Sequence, residues 1–489
     1  MSTESSRSNP PLQTVLPINF IIIGGGLAGL ACAIALKRVG HHAVVLERGT
    51  RTSVASDTGI RMPPNCTKVL FHWGLRAKLL EKSLVTHTLL FTRYETGEYL
   101  GSHVWDQGIM KETRGLYLLT THAAVYEVLY DAAIAAGIEV RFAAEVTEIS
   151  RTSPAVTLST GETLSADVIV GADGEFGLAR KVVAGDRAKG TRVGKAIYDS
   201  QFPTSVLEEY GAHLSKENGI VSSMGDELAI VAYPIHGGKD YACQWYGPDD
   251  GPDGHYGDPA VSNVNSLAEP EHQTLRWVLP TVKPAVRLSV RQHEDLDEWI
   301  SHEPRLVLVG EAAHPFPPST IQANAMAIED GAVLAKLFSH LQEKRQIVNF
   351  LYAFQDVRQA RVNHVRAQEY SVLYMMILGG DAAEVRNAAM KAKAAEGKNV
   401  LAGDDSNATK QWEEMSVIFG YDCEDQADDW WVKWGILRER ALSVDAKTPG
   451  PGDLDFSKIV RVRSTTVDAC PSAAAGNAQT PPRADANAE

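Results

Sequence analysis

The sequence predicts an α/β fold: a parallel-sheet domain interrupted by an inserted, mostly antiparallel sheet and followed by C-terminal helices. Three observations predict it. The apolar run Phe20 to Ile23 enters the cluster Gly24-Gly25-Gly26-Leu27-Ala28-Gly29, and a helix-like apolar segment continues through Leu36. Two later apolar runs end in comparable turns: residues 167–170 before Gly171-Ala172-Asp173-Gly174, and residues 305–309 before Gly310-Glu311-Ala312-Ala313-His314-Pro315. Between about 182 and 290 helical periodicity fades, and β-rich runs such as 228–233 and 241–245 are separated by Gly/Pro/Asp clusters.

The first element is strand, tight turn, helix. Gly24, Gly26 and Gly29 have the G-x-G-x-x-G spacing of a dinucleotide-binding turn. The first allows the turn, the second lets a pyrophosphate approach the backbone, and the third lets helix and strand pack closely. The helix N-terminus offers free N–H groups and partial positive charge to phosphates. A second apolar run, residues 43–46, ends in Glu47, about 20 residues on, where an acid binds ribose hydroxyls. An ordinary glycine-rich loop accounts for the glycines but not for the following strand and acid. A membrane helix over 18–36 is opposed by the three adjacent glycines.

A chain of 489 residues predicts two interlocked lobes and a tail. With 44% hydrophobic and 22% charged residues it has a globular composition, and its net charge of −14 leaves no basic surplus for nucleic acid or anionic membrane. The five cysteines are scattered, with no C-x-x-C pair, so neither a disulfide framework nor a structural metal site is expected. A reducing, cytoplasmic setting is expected. The N-terminus lacks a secretory pattern, and no run is long and apolar enough to span a bilayer.

Further along, a turn-rich bend at 57–65 precedes a helix over 66–80, and residues 89–99 are expected to be extended. An amphipathic helix is predicted from about Thr121 to Ala136, with strands at 138–142 and 156–158. A small-residue helix runs from about Thr320 to His340, with Ser319 and Gln322 placed as a capping box. Helices are predicted over 349–370 and 382–395. Trp412, Trp430, Trp431 and Trp434 fall in 411–442, where they would pack a C-terminal helix onto the body. The resulting organisation is a disordered N-terminus (1–17), a nucleotide domain in two parts (18–181 and 291–373), an inserted substrate domain (182–290), a C-terminal helical region (374–446) and a disordered tail (447–489).

Taken together, these motifs resemble the single-component FAD-dependent aromatic monooxygenases, the group of salicylate hydroxylase and 4-hydroxybenzoate hydroxylase. The resemblance covers roughly residues 18–373. It rests on the first glycine turn with Glu47, on Gly171-Ala172-Asp173-Gly174 with Arg180, and on Gly310-Glu311-Ala312-Ala313-His314-Pro315 with Pro318. Ala327-Ile328-Glu329-Asp330, Tyr233-Pro234-Ile235, and Gly59-Ile60 with Pro64-Asn65 add to it. The chain departs from the pattern at Glu311, where the family usually has Asp, at Ala323, where it has Gly, and at His122, where it has Arg.

The resemblance implies a Rossmann-like FAD-binding domain with an inserted substrate domain. Gly24, Gly26, Leu27, Ala28, Gly29, Glu47, Arg48, His122, Asp173, Gly174, Glu311, Pro318, Gln322 and Ala323 would bind FAD. NAD(P)H would be a transient co-substrate, and a flavin hydroperoxide formed with dioxygen would hydroxylate a small aromatic molecule, phenolic or polyketide-like. Arg61, Tyr233, His236 and Pro315 are candidate substrate residues, although Arg61 could equally be a surface or FAD-contacting side chain. His122 and His236 are candidate bases. His314 is expected to be a structural residue holding its loop, and Glu329 and Asp330 helix-surface or structural residues. Two other readings stand: a flavoenzyme that oxidises, dehydrogenates or cyclises without inserting oxygen, and a non-enzymatic nucleotide-binding protein. Oligomeric state is not legible.

Overall fold

The computed structural model describes residues 11–209, 218–267, 275–303, 305–402 and 408–437. The expected disordered tail and most of the expected disordered N-terminus lie outside the described residues. The elements described here belong to one compact unit, Met1–Gly435.

Its first half is a six-stranded sheet in the order Ile300–Ser301, Leu306–Leu308, Val168–Gly171, Asn19–Ile23, His42–Leu46, Glu139–Arg141. All pairs are parallel except the edge strand Ile300–Ser301. Phe20 to Ile23 and Val168 to Val170 are buried, as expected for strands covered on both faces. Helix Leu27–Arg38 packs on this sheet and against helix Ala323–Phe338. Their approach is close because Gly331 faces backbone: a Cβ there would lie 2.8 Å from the Cys32 nitrogen.

The second half is a seven-stranded sheet ordered Val286–Gln292, Thr191–Pro203, Asp240–Pro248, Ala229–Ile235, Ile220–Met224, Thr88–Arg93, Tyr99–Val104. It is antiparallel apart from the pairing of Ile220–Met224 with Thr88–Arg93. The sheet thus draws two strands from the segment ahead of it and is not confined to 182–290. A smaller sheet, Gly59–Met62, Leu118–Thr121 and Leu84–Val85, comes from the stretch between strands His42–Leu46 and Glu139–Arg141.

Several local expectations are corrected. The single helix over 66–80 is two helices, Pro64–His72 and Arg76–Glu81, split at Gly74, whose φ of 83° ends the first. Residues 89–99 form parts of two hairpin strands. The capping box at Ser319 is absent: helix Ala323–Phe338 starts after Gln322 without a side-chain cap, and Ser319 sits at φ 58°. The helix expected over 349–370 runs from Ile347 to Met376. Trp431 does pack onto the body, stacked 4.3 Å from the His340 ring, while Trp434 is exposed. Among the described residues no helix is long and apolar enough to cross a membrane.

Candidate active site

The glycine turn is built as its spacing requires. Gly24, at φ 105°, donates its N–H to Leu46 O at 2.8 Å, and Gly29 faces the Gly24 carbonyl, which a Cβ would meet at 2.0 Å. Gly26 differs: nothing in the protein lies within 4 Å of a Cβ built on it. The space over the helix N-terminus is open to a ligand. Glu47 is fixed by two backbone donors, Gly25 N–H and Gly49 N–H, each at 2.7 Å. Its oxygens retain lone pairs for hydroxyls. Leu27 is buried, Ala28 is half-buried, and Arg48 is exposed, its charge reaching Asp173.

The other two turns meet this one. A Cβ on Gly24 would lie 2.3 Å from Ala172 O, so the second turn abuts the first. Asp173 Oδ2 accepts Ala179 N–H at 2.9 Å, while Oδ1 is buried without a partner and burial pushes the carboxyl up. Gly174 sits at φ 80°. The third turn packs on the first helix, with a Cβ on Gly310 falling 3.0 Å from that of Ala28. Arg180, fully buried, joins the second turn to the third by donating to Ala312 O and Ala313 O at 2.8 and 3.2 Å. Glu311 is pushed up to about 8, first by burial and then by Glu175.

The third turn is held from behind by Asp330, which accepts Gly310 N–H at 2.8 Å, His314 Nε2 at 2.6 Å and Arg358 Nε at 2.7 Å. His314 is therefore the structural residue expected. Glu329 and Asp330 are structural too, but they are fully buried rather than on the helix surface. Glu329 accepts Arg358 Nη1 at 2.7 Å and Asn65 Nδ2 at 2.7 Å. Asn65 also donates to the Gln322 amide at 3.0 Å, which commits that side chain to the protein at the start of the helix led by Ala323.

Beside the third turn, Arg61 is buried against the seven-stranded sheet. It donates to Ser319 O at 2.6 Å and Gln244 Oε1 at 3.2 Å and lies 5.5 Å from the Tyr233 ring centroid. Gln244 donates to Tyr233 Oη at 3.1 Å. Arg61 is thus neither a surface residue nor isolated. Pro318 precedes Ser319 in this loop. Pro315 lies elsewhere, on a cleft of about 410 Å³ with His293, Asp295, Arg366 and Tyr370.

The two candidate histidines are poorly suited to proton abstraction. Burial lowers His122 to about 4, its Nδ1 has no partner, and its ring stacks on Tyr126 at 6.4 Å. Neutral His122 does not replace an arginine's charge. His236 is turned to Asp240 at 2.8 Å and Asp57 at 3.0 Å; burial works to lower it, but the two carboxylates raise it and favour the cation. The expected list omits Asp199, Gln244, Tyr117, Tyr246 and Glu369, whose side chains surround Arg61. A signal for two of them exists. Gln244 interrupts an apolar row between Ala242 and Tyr246 at strand period, and Asp199 follows Ile197 in the facing row.

An open cradle at Gly26 and an orphaned buried oxygen on Asp173 fit a dinucleotide carrying pyrophosphate and hydroxyls. The chain matches the FAD binding domain family over residues 18–369. It is 28% identical to the FAD-dependent monooxygenase OpS4 of Beauveria bassiana (strain ARSEF 2860), over 76% of this chain and 89% of that one. It is 26% identical to 3-hydroxybenzoate 6-hydroxylase of Klebsiella oxytoca, over 65% and 78%. CtdE in complex with FAD and substrate 4 shares the fold with a TM-score of 0.69 at 22% identity, covering 86% of this chain and 100% of that one. A salicylate hydroxylase substrate complex does so at 0.65 and 19%, covering 84% and 97%. The chain belongs to the FAD binding domain family and is an FAD-dependent monooxygenase related to the aromatic hydroxylases.

Proposed function

We propose that the enzyme uses NAD(P)H and dioxygen to hydroxylate a small aromatic molecule, phenolic or polyketide-like, seated between the seven-stranded sheet and the loop over 310–322. The observation that carries this reading is the buried polar cluster around Arg61, directly beside the third nucleotide turn. A polar group buried in an apolar sheet face is costly unless it serves a ligand or a fold-fixing contact. When bound, FAD supplies the redox chemistry that activates dioxygen.

The chain's own groups do the rest. The first turn and the N-terminus of helix Leu27–Arg38 hold the pyrophosphate, Glu47 the adenosine ribose, and Glu311 and Asp173 cofactor hydroxyls. Arg61 orients oxygen substituents of the ring through its remaining N–H groups. Tyr117, Tyr233, Leu119 and Val231, buried in one hydrophobic cluster, would give the substrate site apolar surface that excludes water. Residues 18–181 and 291–373 form the FAD-binding part, with 88–104 lent to the substrate sheet. The free, buried Cys32, Cys66, Cys243 and Cys423 support a cytoplasmic setting.

The test is purified, FAD-loaded enzyme offered a panel of phenols and phenolic acids. The expected outcome is substrate-stimulated NAD(P)H oxidation with one atom of labelled dioxygen in the product. NAD(P)H or substrate oxidation that never labels the product overturns the reading in favour of an oxidase or dehydrogenase.

A further inference from the structure

In strand Thr191–Pro203, Ile197, Asp199 and Gln201 share one face, and Asp199 stands opposite Gln244 of the neighbouring strand. The flanking inward positions, Ile197, Val231, Ala242 and Tyr246, belong to the apolar core between the sheet and the nucleotide domain. Asp199 is 5% exposed, an acid buried beside that apolar core, with Gln201 on its other side along the strand.

Its partners are few and shared. Gln244 Nε2 reaches Asp199 Oδ2 at 3.5 Å, the limit of a hydrogen bond, and the Ser319 hydroxyl donates to the same carboxyl. Arg61 holds those same two residues through Gln244 Oε1 and Ser319 O. Among the described residues no ion pair joins Asp199 to Arg61 directly. The acid and the cation therefore share two bridging residues without pairing directly. Tyr117 belongs to the same cluster: its hydroxyl is buried, has no partner, and feels the charges of Arg61 and Glu369. Glu369 is the less available acid, because it accepts Ile321 N–H at 3.0 Å and Gln322 N–H from the loop.

We propose that Asp199 is the proton acceptor of the reaction, taking the proton of a ring hydroxyl while Arg61 holds the resulting oxyanion. The proposal rests on the monooxygenase reading and deepens it. The substrate O–H bond breaks, its electron pair stays on oxygen, and a new O–H bond forms on the Asp199 carboxylate. No oxidant is consumed in this step. The oxyanion enriches the ring carbons ortho and para to it, where oxygen is to be added. Burial raises Asp199 to about 7, against the Gln244 and Ser319 hydrogen bonds and the Arg61 charge, which suits a base working near neutral pH. Tyr233, Tyr246, Cys243 and Tyr256 are the other titratable groups facing it.

The experiment compares FAD-loaded wild type with Asp199→Asn. Labelled product from a phenol that the wild type hydroxylates should fall about 100-fold or more, with the FAD spectrum unchanged. The loss should shrink on nitro- or fluorophenols that are already ionised in solution. A purely structural acid would show no rescue on ionised phenols; the raised carboxyl itself is checked separately by stability. The folded carboxyl titrates above its unfolded value, so its charge costs stability increasingly as pH rises from the unfolded to the folded pKa. The Tm advantage of Asp199→Asn should therefore be smallest near about pH 4, the unfolded value, and grow up to about pH 8. Product formation within a few-fold of wild type, equal loss on ionised phenols, or a lower Tm at the higher pH overturns the proposal. A wild type that labels no product also overturns it, and is recognisable as failure of the monooxygenase reading itself.

Discussion

Gly24, Gly26 and Gly29 share a motif but are required for different reasons. A side chain on Gly24 would be forced into a left-handed backbone and into Ala172 O, and one on Gly29 would strike the Gly24 carbonyl. Those two positions are constrained by the protein itself. Gly26 has an ordinary φ of −72° and empty space beyond it, so its constraint is the ligand alone. Gly26→Val is expected to fold with the wild-type circular dichroism spectrum and Tm yet purify colourless, whereas Gly24→Val is expected to accumulate poorly or melt early. Yellow, FAD-loaded Gly26→Val would contradict the cradle. Single-residue chemistry was otherwise unevenly legible. The glycines and Glu47 declare themselves by spacing, but a histidine's proton affinity depends on neighbours the sequence does not reveal. Burial lowers His122 and makes it a weak base, and both ring nitrogens of His236 are engaged by aspartates. Asp199, the acceptor proposed above, shows in the sequence only as one acid in a strand that also carries Lys195 and Gln201 on the same face.

Between elements, the third turn is placed by two helices rather than by its own residues. Helix Ala323–Phe338 supplies Glu329 and Asp330, and helix Ile347–Met376 supplies Arg358, fully buried against both. Burial alone would raise Asp330, but His314 and Arg358 bring it below its ordinary value. Arg358→Met removes the guanidinium shared by two buried carboxylates and should cost about 3–5 kcal/mol in urea unfolding at neutral pH. The wild-type contribution of Asp330 is present above its unfolded pKa and is lost as pH falls through the lower folded one. The gap between wild type and variant should therefore narrow in acid. A gap that widens in acid would show that the variant acts through something other than these carboxylates. Periodicity identified both helices but not what joins them, because an Arg and an acid about thirty positions apart have no sequence signature. Strands Thr88–Arg93 and Tyr99–Val104 were missed as sheet members for a related reason. Their place depends on a parallel pairing with Ile220–Met224, more than a hundred residues away.

Across the whole molecule, the cofactor cradle is assembled from turns at Gly24, Asp173 and Gly310, almost three hundred positions from first to last. Five of the seven strands of the substrate sheet fall between the second and third of these and two between the first and second, so neither half of the nucleotide domain is complete until the chain has passed through that sheet and returned. This much was legible, since three strand-turn segments in order predict one parallel sheet; the depth of interlock was not. An enzyme built this way should unfold as one unit and bind FAD as one unit. A ligand that binds only the folded state adds about 2.7 kcal/mol at a hundredfold excess over its Kd. Spread over an unfolding entropy of about 0.9 kcal/mol/K for a unit of this length, that is a rise of about 3 °C in Tm. FAD added to stripped enzyme should shift a single transition by about that amount, seen alike by circular dichroism and tryptophan fluorescence, and should leave Gly26→Val unmoved. Two transitions of which FAD shifts only one would mean that the seven-stranded sheet melts independently, and that the Arg61 cluster is not held in place by the cofactor domain.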